Sequence, residues 1–533
     1  MSVNSISNRT LAFQPEAERF YAEGYWREGD LWSDFATRVE RHPDKIALIL
    51  DDRRVTFAEL RRAAIGVSGR LARGGVKPGD VVILLGRHSI EAAVAMLGAL
   101  HLGAVLAPLP PMFNTTQLSA LVAHTGATGL VCFGGEQEIA KCRLVAHEVD
   151  VLLAVEPALH DVLPHVEEPG ERRPRNADEV TMILHSSGTT STPKGISHSS
   201  NTLRYATEAL CRRWQLGHED VYLVVCEFGF VGGLVFGYLP PLLNGGTGVL
   251  VNRWDARAAL RLVEQHRCTY LLAMPTHSAD LVQAVEKDAG DLSSIRVLAA
   301  PGLTRERRIA MKRAFGRPPL GDYGLSEVPG HAAHSLDEDD EKIYVTEGRP
   351  YDGTEIRIVD GDEQPLPPGR VGSVVVNGPS RFLGFFGNDE LTRESLTDWG
   401  GYRTGDLGYL DADGQFVYAG RSKDIIRRGG VTIIPAEVEP VILRHPAVHE
   451  VAIVPVPDDR LGERACAAII AAHDQDPPTL EQLQYFLAAE GVPKYIWPES
   501  IAVFEEFPRT PSLKVVKREV AEEVVRRRGR PAT

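Results

Sequence analysis

The chain has 533 residues, of which 43% are hydrophobic and 24% charged, and its formal net charge is −14. This length and composition predict an ordinary globular protein with two to four domain-sized units. The acidic balance disfavours a nucleic-acid partner, because phosphate binding needs a concentrated basic face.

Cysteine usage and hydropathy address the cellular setting. The six cysteines are scattered, without a CxxC pair or the spacing of metal ligands, so we predict free thiols in a reducing, cytoplasmic environment. Residues 1–10 lack the apolar core of a signal peptide, and no stretch reaches the roughly 18 apolar residues of a membrane span. The sequence therefore predicts no membrane association. It leaves the oligomeric state open, with a homodimer as one option.

Strand and helix patterns alternate through the first 180 residues. A turn at residues 77–80 leads into a continuous apolar run that ends at Gly86, which is typical of a strand buried on both faces. A helix over residues 89–102 and a strand over 103–108 would complete a right-handed βαβ unit. Similar patterns near residues 129–133 and 269–299 predict a layered α/β body.

The pattern changes after residue 345. Short alternating strands predict a small antiparallel sheet that closes a large domain, with strands over residues 345–360, 372–377 and 409–419.

A second pattern begins near residue 423. Helices are predicted over residues 435–444 and 479–490, and strands over 448–455, 465–472 and just before Phe507. The fold class is therefore α/β, with a large N-terminal domain of several subdomains over residues 1–422. A small mobile α+β C-terminal domain is predicted over residues 423–533.

The most informative segment spans residues 183–195, where an apolar strand runs into hydroxyl groups and glycine and ends in Pro-Lys-Gly. Such a loop can wrap a polyphosphate with hydroxyls and backbone N–H groups, and Lys194 adds a positive charge. The Walker A pattern is absent, because Lys194 has no preceding Gly and no following Ser or Thr. A plain surface turn is the alternative for this loop taken alone.

This segment resembles the signature loop of the adenylate-forming superfamily, which includes acyl-CoA synthetases, peptide-synthetase adenylation domains and firefly luciferases. The chain departs from that loop at Ser191, where the family has glycine, and this change reduces the freedom of the backbone. The resemblance implies that ATP is bound by residues Ser186, Ser187, Gly188, Thr189 and Thr190, with Lys194 as a catalytic group.

A second family-like motif spans residues 321–327. The resemblance implies that Tyr323 lies against the adenine ring and that Asp322 accepts a hydrogen bond from the adenine amino group. Glu327 would hold Mg²⁺, a cation that prefers oxygen ligands, and would take part in catalysis. Ser326 would contact the nucleotide, and Gly324 the acid. The preceding turn at residues 299–303 places Gly302 beside the adenine, although a simple strand-to-helix turn explains it almost as well.

Further motifs follow in the family's order. By resemblance, Asp406 in the segment 402–408 binds the ribose hydroxyls, and Arg421 contacts the ribose or a phosphate. Lys423 is implied as the hinge of a rotating C-terminal domain, and Gly430 lets the pantetheine arm of coenzyme A pass close to the backbone.

The last motif, at residues 508–517, implies that Lys514 is the lysine that serves adenylation. It would offset charge that develops on the α-phosphate and the attacking carboxylate. Leu513 stands where the family has glycine.

The segment 226–234 corresponds to the family's acid pocket, with Phe230 at the position of the pocket residue, although a shift to Gly229 is open. Phe230 and Gly232, with the neighbouring Gly233, suggest an apolar, ring-sized cavity for the substrate. Residues 21–26 also resemble enzymes that activate aryl acids and cyclohexanecarboxylate, so an alicyclic, aryl or medium branched acid is favoured. Glu227 could meet a substrate amine or be buried beside a partner.

The function implied by this resemblance is ATP-dependent conversion of a carboxylic acid into an acyl-adenylate, followed by transfer to a thiol, most simply coenzyme A. Two anions must approach each other, and Lys194, Lys514 and Mg²⁺ would reduce their repulsion. Two alternatives stay open: an acid–AMP ligase that loads a carrier protein, and an inactive adenylate-binding protein.

Overall fold

The structure is a computed structural model that describes residues 14–155, 172, 175–185, 194–288, 290–429, 431–509 and 515–528. These residues form five β-sheets, two of them large and mainly parallel. The strands up to residue 421 are β1 (Ile46–Leu50), β2 (Arg53–Thr56), β3 (Val81–Gly86), β4 (Val105–Leu109), β5 (Gly129–Phe133), β6 (Val151–Val155), β7 (Val180–His185), β8 (Gly195–Ser199), β9 (Val221–Val224), β10 (Thr247–Leu250), β11 (Tyr270–Leu272), β12 (Val297–Ala299), β13 (Asp322–Tyr323), β14 (Ala332–Ala333), β15 (Arg349–Pro350), β16 (Glu355–Val359), β17 (Gly372–Asn377), β18 (Gly384–Phe385), β19 (Tyr402–Leu410) and β20 (Phe416–Arg421).

The α-helices of the same part of the chain pack around these sheets. They are α1 (Ala17–Ala22), α2 (Leu31–Arg41), α3 (Phe57–Arg73), α4 (Ile90–Leu102), α5 (Thr115–Thr125), α6 (Glu136–Leu144), α7 (Ser200–Arg213), α8 (Val231–Gly233), α9 (Leu239–Asn244), α10 (Ala256–His266), α11 (Pro275–Lys287), α12 (Arg305–Phe315), α13 (Asp340–Val345) and α14 (Asp389–Ser395). A five-residue π-helix, Leu234–Tyr238, joins α8 to α9.

The seven-stranded sheet has the order β18-β8-β7-β4-β3-β5-β6. Its strands β3 to β7 pair in parallel, whereas β8 and β18 add antiparallel strands at one edge. The predicted βαβ unit is confirmed, because β3 and β4 pair in parallel and α4 connects them. Ser89 caps α4 by accepting from Ala92 N–H, and Gly103 ends the helix at φ 79°, in the left-handed region that glycine favours.

The six-stranded sheet has the order β12-β11-β9-β10-β1-β2, and only β2 runs antiparallel to its neighbour. Helix α4 is apolar on nearly every side and its first eleven residues are buried, as expected for a helix enclosed in a core. One cluster of buried side chains contains residues of both large sheets, such as Leu84 and Val224, together with residues of α3 and α4. The two sheets therefore share a single hydrophobic core.

The predicted small antiparallel sheet is also confirmed, with the order β16-β17-β19-β20. The predicted strand over residues 345–360 is wrong at its start. Residues up to Val345 form α13, because the Asp339 side chain caps this helix at Glu341 N–H. Strand structure follows only at β15 and β16.

The remaining described residues form a separate five-stranded sheet with its own hydrophobic clusters. Its elements are β21 (Ile426–Arg428), β22 (Val431–Ile433), β23 (Val448–Asp458), β24 (Gly462–Ala471), β25 (Ser500–Val503), α15 (Pro435–Ile442), α16 (Leu480–Ala489) and α17 (Lys517–Arg528). The helices and strands predicted in this region are confirmed, with bounds that differ by a few residues.

Within the described residues, no helix combines the length and apolar character needed to cross a membrane. All six cysteines are free thiols and are buried.

Candidate active site

Strands β7 and β8 bracket the predicted phosphate loop. They pair antiparallel, with His185 opposite Gly195, so the two ends of the loop are held together. Residues 186–193 lie outside the described residues, and the five predicted ATP-binding residues Ser186, Ser187, Gly188, Thr189 and Thr190 are among them. Lys194 is described and is exposed, with Nζ 5.3 Å from the centroid of the Phe385 ring.

Glu327 lies near Lys194, although 133 positions separate them in sequence. Burial raises the pKa of the Glu327 carboxyl group above its usual value, while the Tyr402 hydroxyl and the positive charges of Arg421 and Lys194 oppose that shift. The main-chain carbonyl of Glu327 accepts from Phe382 N–H at 2.7 Å. Burial disfavours the charged form of this carboxylate. A cation bound beside it would stabilise that form, so the position is suited to a cationic ligand.

Asp406 and Arg421 meet on neighbouring strands. They are opposite residues in the β19–β20 pair, and Arg421 Nε lies 2.6 Å from Asp406 Oδ1. The Tyr323 hydroxyl donates a hydrogen bond to Asp406 Oδ2. The Asp406 side chain is buried, and each of its oxygens has two lone pairs, so the carboxylate can still accept hydrogen bonds from hydroxyl groups.

Tyr323 lies in an aromatic cluster. The centroid of its ring lies 4.6 Å from that of Phe416, 4.5 Å from that of His331 and 6.0 Å from that of Tyr418. Asp322, the residue before it, is buried, and burial raises the pKa of its carboxyl group to about 7. The Tyr351 hydroxyl donates to Asp322 Oδ1 at 3.2 Å. Sequence patterns did not indicate Tyr351, because it reaches the site from outside the recognised motifs.

Two of the predicted glycines lie where a larger residue would be strained or would clash. Gly302 has φ 68°, in the left-handed region, and the turn that contains it lies beside the segment before Asp322, since Ala300 N–H donates to Leu320 O at 2.8 Å. A Cβ atom on Gly324 would lie 2.5 Å from the backbone nitrogen of Gly330, so this position permits a close approach of two backbones.

The predicted acid-pocket segment begins α8. Phe230 is half-buried and directly precedes the helix. A Cβ atom on Gly232 would lie 3.9 Å from Cys226 Sγ and 4.0 Å from Met274 Sδ. Met274 had no distinctive motif, so the sequence analysis missed it. These contacts are apolar and polarisable, as a hydrophobic ligand requires.

Glu227 lies at the polar side of the same segment. Burial raises the pKa of its carboxyl group, whereas the charge of Arg87 and a hydrogen bond from His88 N–H oppose the shift. Oε2 is buried and has no hydrogen-bond partner among the described residues. Arg87 also pairs with Glu138, with Nε 2.9 Å from Oε1. Both possibilities for Glu227, a substrate contact and a buried partner of Arg87, are compatible with this arrangement.

Two further predicted residues, Gly430 and Lys514, lie outside the described residues. The described segments before and after Lys514 are hydrogen-bonded to each other, because Val516 N–H donates to Pro508 O at 2.8 Å. Lys517, the other lysine of this motif, forms an ion pair with Glu439, with Nζ 2.6 Å from Oε1. Lys423 is exposed, in the 3₁₀ turn Ser422–Asp424 between β20 and β21.

Comparison with known protein families agrees with this arrangement. Residues 35–386 match the AMP-binding enzyme family, and residues 437–514 match the AMP-binding enzyme C-terminal domain. The chain belongs to the AMP-binding enzyme family. It is an AMP-forming acid–thiol ligase, a class of adenylate-forming enzymes that use ATP, Mg²⁺ and a thiol acceptor.

Individual relatives of this AMP-binding enzyme resemble it over almost their whole length. A medium-chain fatty-acid–CoA ligase of Escherichia coli (strain K12) is 30% identical over 97% of this chain and 94% of its own. A salicyl-AMP ligase/salicyl-S-ArCP synthetase of Mycobacterium tuberculosis is 30% identical over 95% of this chain and 93% of its own. The structure of an o-succinylbenzoate CoA synthetase from Bacillus subtilis in complex with its acyl-adenylate has a TM-score of 0.82 and 26% sequence identity. The match covers 93% of this chain and 98% of that one.

The residues of the site fit a magnesium ion that arrives with a nucleotide. In the described part of the chain, no three His, Cys, Asp or Glu side chains are grouped as a metal site of their own. Glu327 supplies one carboxylate near the end of the phosphate loop, and Mg²⁺ is commonly held by one or two carboxylates together with phosphate oxygens. One protein carboxylate, together with the phosphate oxygens of the nucleotide, would therefore be enough to hold a Mg²⁺ ion.

Proposed function

We propose that this enzyme activates an apolar carboxylic acid, alicyclic, aryl or of medium length, as an acyl-adenylate and transfers the acyl group to coenzyme A. The main support is the convergence of Lys194, Glu327 and Arg421 near Asp406 and Tyr323, from four separate segments. This set supplies cations, a carboxylate for a metal, a carboxylate for hydroxyls and an aromatic ring. Such a combination matches the adenine, ribose and phosphate parts of ATP.

Each nucleotide contact has a proposed role. Asp406 accepts hydrogen bonds from the ribose hydroxyls, and Arg421 holds the Asp406 carboxylate and adds positive charge. Tyr323 offers a flat face to adenine, and ionised Asp322 accepts from the adenine amino group. Gly302 and Ser326 border the nucleotide through their backbones.

The reacting groups need charge compensation. In the proposal, Lys194 binds the phosphates, and Lys514 lies near the α-phosphate when the carboxylate attacks. Mg²⁺, held by Glu327, would neutralise phosphate charge. No side-chain nucleophile is required, since the substrate carboxylate forms the new bond to phosphorus and pyrophosphate leaves.

The proposed substrate class rests on the lining of the acid pocket. Phe230, Gly232 and Gly324 border the acid, and Cys226 and Met274 add an apolar wall. An apolar pocket distinguishes acids by shape and size, at about 1–3 kcal/mol per methylene-sized change.

The acceptor is a separate choice. We favour coenzyme A, which is supported by the similarity to a fatty-acid–CoA ligase over 97% of this chain. The similarity to the mycobacterial salicyl-S-ArCP synthetase makes a carrier protein the second candidate, because both acceptors present a thiol. Gly430 is proposed to allow the pantetheine arm close to the backbone.

We also propose a domain division at residues 1–422 and 423–533, with Lys423 as the hinge. It is supported by the end of β20 at Arg421, the start of β21 at Ile426, and hydrophobic clusters that contain only residues from 426 onward. A cytoplasmic location, supported by six free cysteines, and a homodimer remain further predictions.

The decisive experiment is acid-dependent exchange of pyrophosphate into ATP across a panel of carboxylic acids. Exchange with apolar acids supports the proposal. No exchange with any acid, from a protein that still binds ATP, would instead indicate an inactive adenylate-binding protein. Thioester formation with coenzyme A and with a phosphopantetheinylated carrier protein, measured side by side, then identifies the acceptor.

A further inference from the structure

His198 is a buried histidine that the proposed mechanism does not use. It lies in β8, four residues after Lys194, and its side chain is fully buried. Its Nε2 atom lies 2.8 Å from the carbonyl oxygen of Ser326, and its Nδ1 atom lies 3.0 Å from Thr202 Oγ1. The hydrogen bond to Ser326 joins two segments that are 128 positions apart in sequence.

The protonation of this ring follows from its partners. A carbonyl oxygen can only accept, so Nε2 must carry a hydrogen and donate it to Ser326 O. Burial lowers the pKa of His198 to about 4, so the ring is neutral at physiological pH. Nδ1 then carries no hydrogen, and it lies 3.0 Å from Thr202 Oγ1, whose hydroxyl donates to the carbonyl oxygen of Ser199 at 3.1 Å.

The Ser326 carbonyl belongs to the peptide group that leads into Glu327. Because a peptide group is planar, fixing the direction of this carbonyl also fixes the bond from nitrogen to the α-carbon of Glu327. A second contact holds the same residue, since Phe382 N–H donates to its carbonyl oxygen at 2.7 Å. The peptide groups on both sides of the Glu327 side chain are therefore held by donors from two different parts of the chain.

His198 also connects the two halves of the phosphate site. Strand β8 starts at Gly195, directly after Lys194, whereas Glu327 lies on the segment after β13. A part-buried hydrogen bond of 2.8 Å from β8 to Ser326 fixes the distance between the strand that follows the lysine and the segment that presents the carboxylate. Without the donor, the part-buried carbonyl would lack its partner, and the segment would shift to find water or another donor.

We propose that His198 is a positioning residue for the metal site: its Nε2–H holds the Ser326–Glu327 peptide so that the Glu327 carboxylate faces a phosphate-bound divalent cation. This inference rests on the proposed role of Glu327 and goes beyond it, because His198 itself touches neither metal nor substrate. Groups that orient a metal ligand in this way typically change metal affinity by about 10- to 100-fold when they are removed.

The test compares His198→Leu, which removes the donor, with His198→Gln, whose side-chain amide can donate from a similar position. ATP binding is measured by calorimetry at increasing Mg²⁺ concentration, alongside acid-dependent exchange and the melting temperature. We expect His198→Leu to need roughly 10-fold or more Mg²⁺ for half-maximal binding, with KM for the acid unchanged. His198→Gln should recover most of this loss.

His101→Leu is the matched control. His101 also hydrogen-bonds through a ring nitrogen, with Nδ1 2.8 Å from Ser68 Oγ, but it lies at the end of α4, outside the site. It should leave the Mg²⁺ dependence unaltered. If His198→Leu lowers only the melting temperature and shares the wild-type Mg²⁺ curve, His198 is a structural residue and the inference is overturned.

Two variants separate the remaining outcomes. Glu327→Gln in the same titration tests the role of Glu327: if it leaves the Mg²⁺ curve unchanged, the proposed metal ligand is wrong, whatever His198 does. If His198→Leu does not fold, His198→Ala takes its place as the variant that lacks the donor. A folded His198→Ala that shares the wild-type Mg²⁺ curve, while Glu327→Gln is impaired, would overturn the inference.

Discussion

Arg421 Nε lies 2.6 Å from Oδ1 of Asp406, directly across the β19–β20 pair. The second carboxylate oxygen accepts from the Tyr323 hydroxyl, so both oxygens of Asp406 are oriented by groups from different strands. The carboxylate is thus fixed before a nucleotide binds, and less conformational freedom is lost when the ribose hydroxyls arrive. Family resemblance implied roles for the three residues, and the structure adds that an ion pair and a hydrogen bond join them through Asp406.

The first prediction concerns this unit. Asp406→Asn keeps the shape but removes the charge, so charge-assisted hydrogen bonds to the ribose are weakened by about 1.5–3 kcal/mol. We expect ATP affinity, measured by calorimetry, to fall roughly 10- to 100-fold. Asp411→Asn is the matched control, because Asp411 lies just beyond β19 and pairs with Lys342 instead. Equal ATP affinity of Asp406→Asn and wild type would contradict the ribose assignment.

The second prediction is a pH dependence that arises from Asp322. Its carboxyl pKa is raised to about 7 in the folded protein, against 3.8 as the ordinary value. Between these values the folded state holds a proton that the unfolded state releases, so this group's contribution to the free energy of unfolding falls as pH rises. Asp322→Asn removes the contribution. The denaturant midpoint of the wild type, relative to that of Asp322→Asn, should therefore be lower at pH 8 than at pH 5.

The same titration affects nucleotide binding. An adenine amino group donates, so only ionised Asp322 accepts well, and ATP affinity should rise as pH passes upward through about 7. Calorimetry between pH 6 and 8 checks this, with Asp322→Asn as the reference that lacks the ionisation. A wild-type affinity that follows the same pH curve as the asparagine variant would exclude Asp322 from the adenine site.

The third prediction concerns the two lysines near the C-terminus. Lys514→Ala should abolish adenylation, with the loss in kcat more than in ATP affinity, because its charge is needed where negative charge develops. Transfer from a supplied acyl-adenylate to the thiol should persist. Lys517→Ala is the control, since Lys517 pairs with Glu439 and should affect stability only slightly. Equal loss of both half-reactions in Lys514→Ala would count against its assignment.

The sequence was most informative where signals are local. The unit from β3 to β4 could be predicted because Ser89 and Gly103 mark the ends of its helix and both strands are continuous apolar runs. The strand predicted from residue 345 failed for a local reason as well, since the Asp339 cap favours α13 over an extended chain.

The site was harder to predict, because its contacts join distant segments. Motifs that resemble those of the adenylate-forming superfamily implied roles for Tyr323, Asp406 and Glu327, but the contacts that orient them come from segments far away in sequence. His198 and Ser326 are 128 positions apart, and Tyr323 and Asp406 are 83 apart. Such pairs depend on how the sheets pack, so neither periodicity nor spacing could indicate them. Met274 was missed for the same reason.

The fourth prediction uses two neighbouring glycines at the acid pocket. Gly232→Ala adds a Cβ atom at ordinary contact distance from Cys226 and Met274, so the protein should fold and prefer smaller acids. Gly233→Ala places a Cβ atom 2.0 Å from the carbonyl oxygen of Glu227, which backbone atoms cannot accommodate without moving. It should lower the melting temperature markedly. If Gly232→Ala leaves the acid profile unchanged, that position does not border the substrate.

The last prediction decides whether Phe230 lines the acid pocket or belongs to the core. If it forms a wall of the pocket, Phe230→Ala should shift preference toward bulkier acids by roughly 10- to 200-fold in relative kcat/KM, since apolar pockets discriminate by about 1–3 kcal/mol per methylene-sized change. ATP affinity should not change, because the nucleotide contacts come from other segments. Phe228 provides the comparison two residues away: it is fully buried, and its ring lies 5.2 Å from that of Tyr238 and 5.7 Å from that of Phe133. Phe228→Ala should lose about 3–5 kcal/mol of stability and keep its ranking of acids. Measuring the melting temperature and the acid profile of both variants separates the two roles, and a Phe230→Ala protein that behaves like Phe228→Ala would place Phe230 in the core.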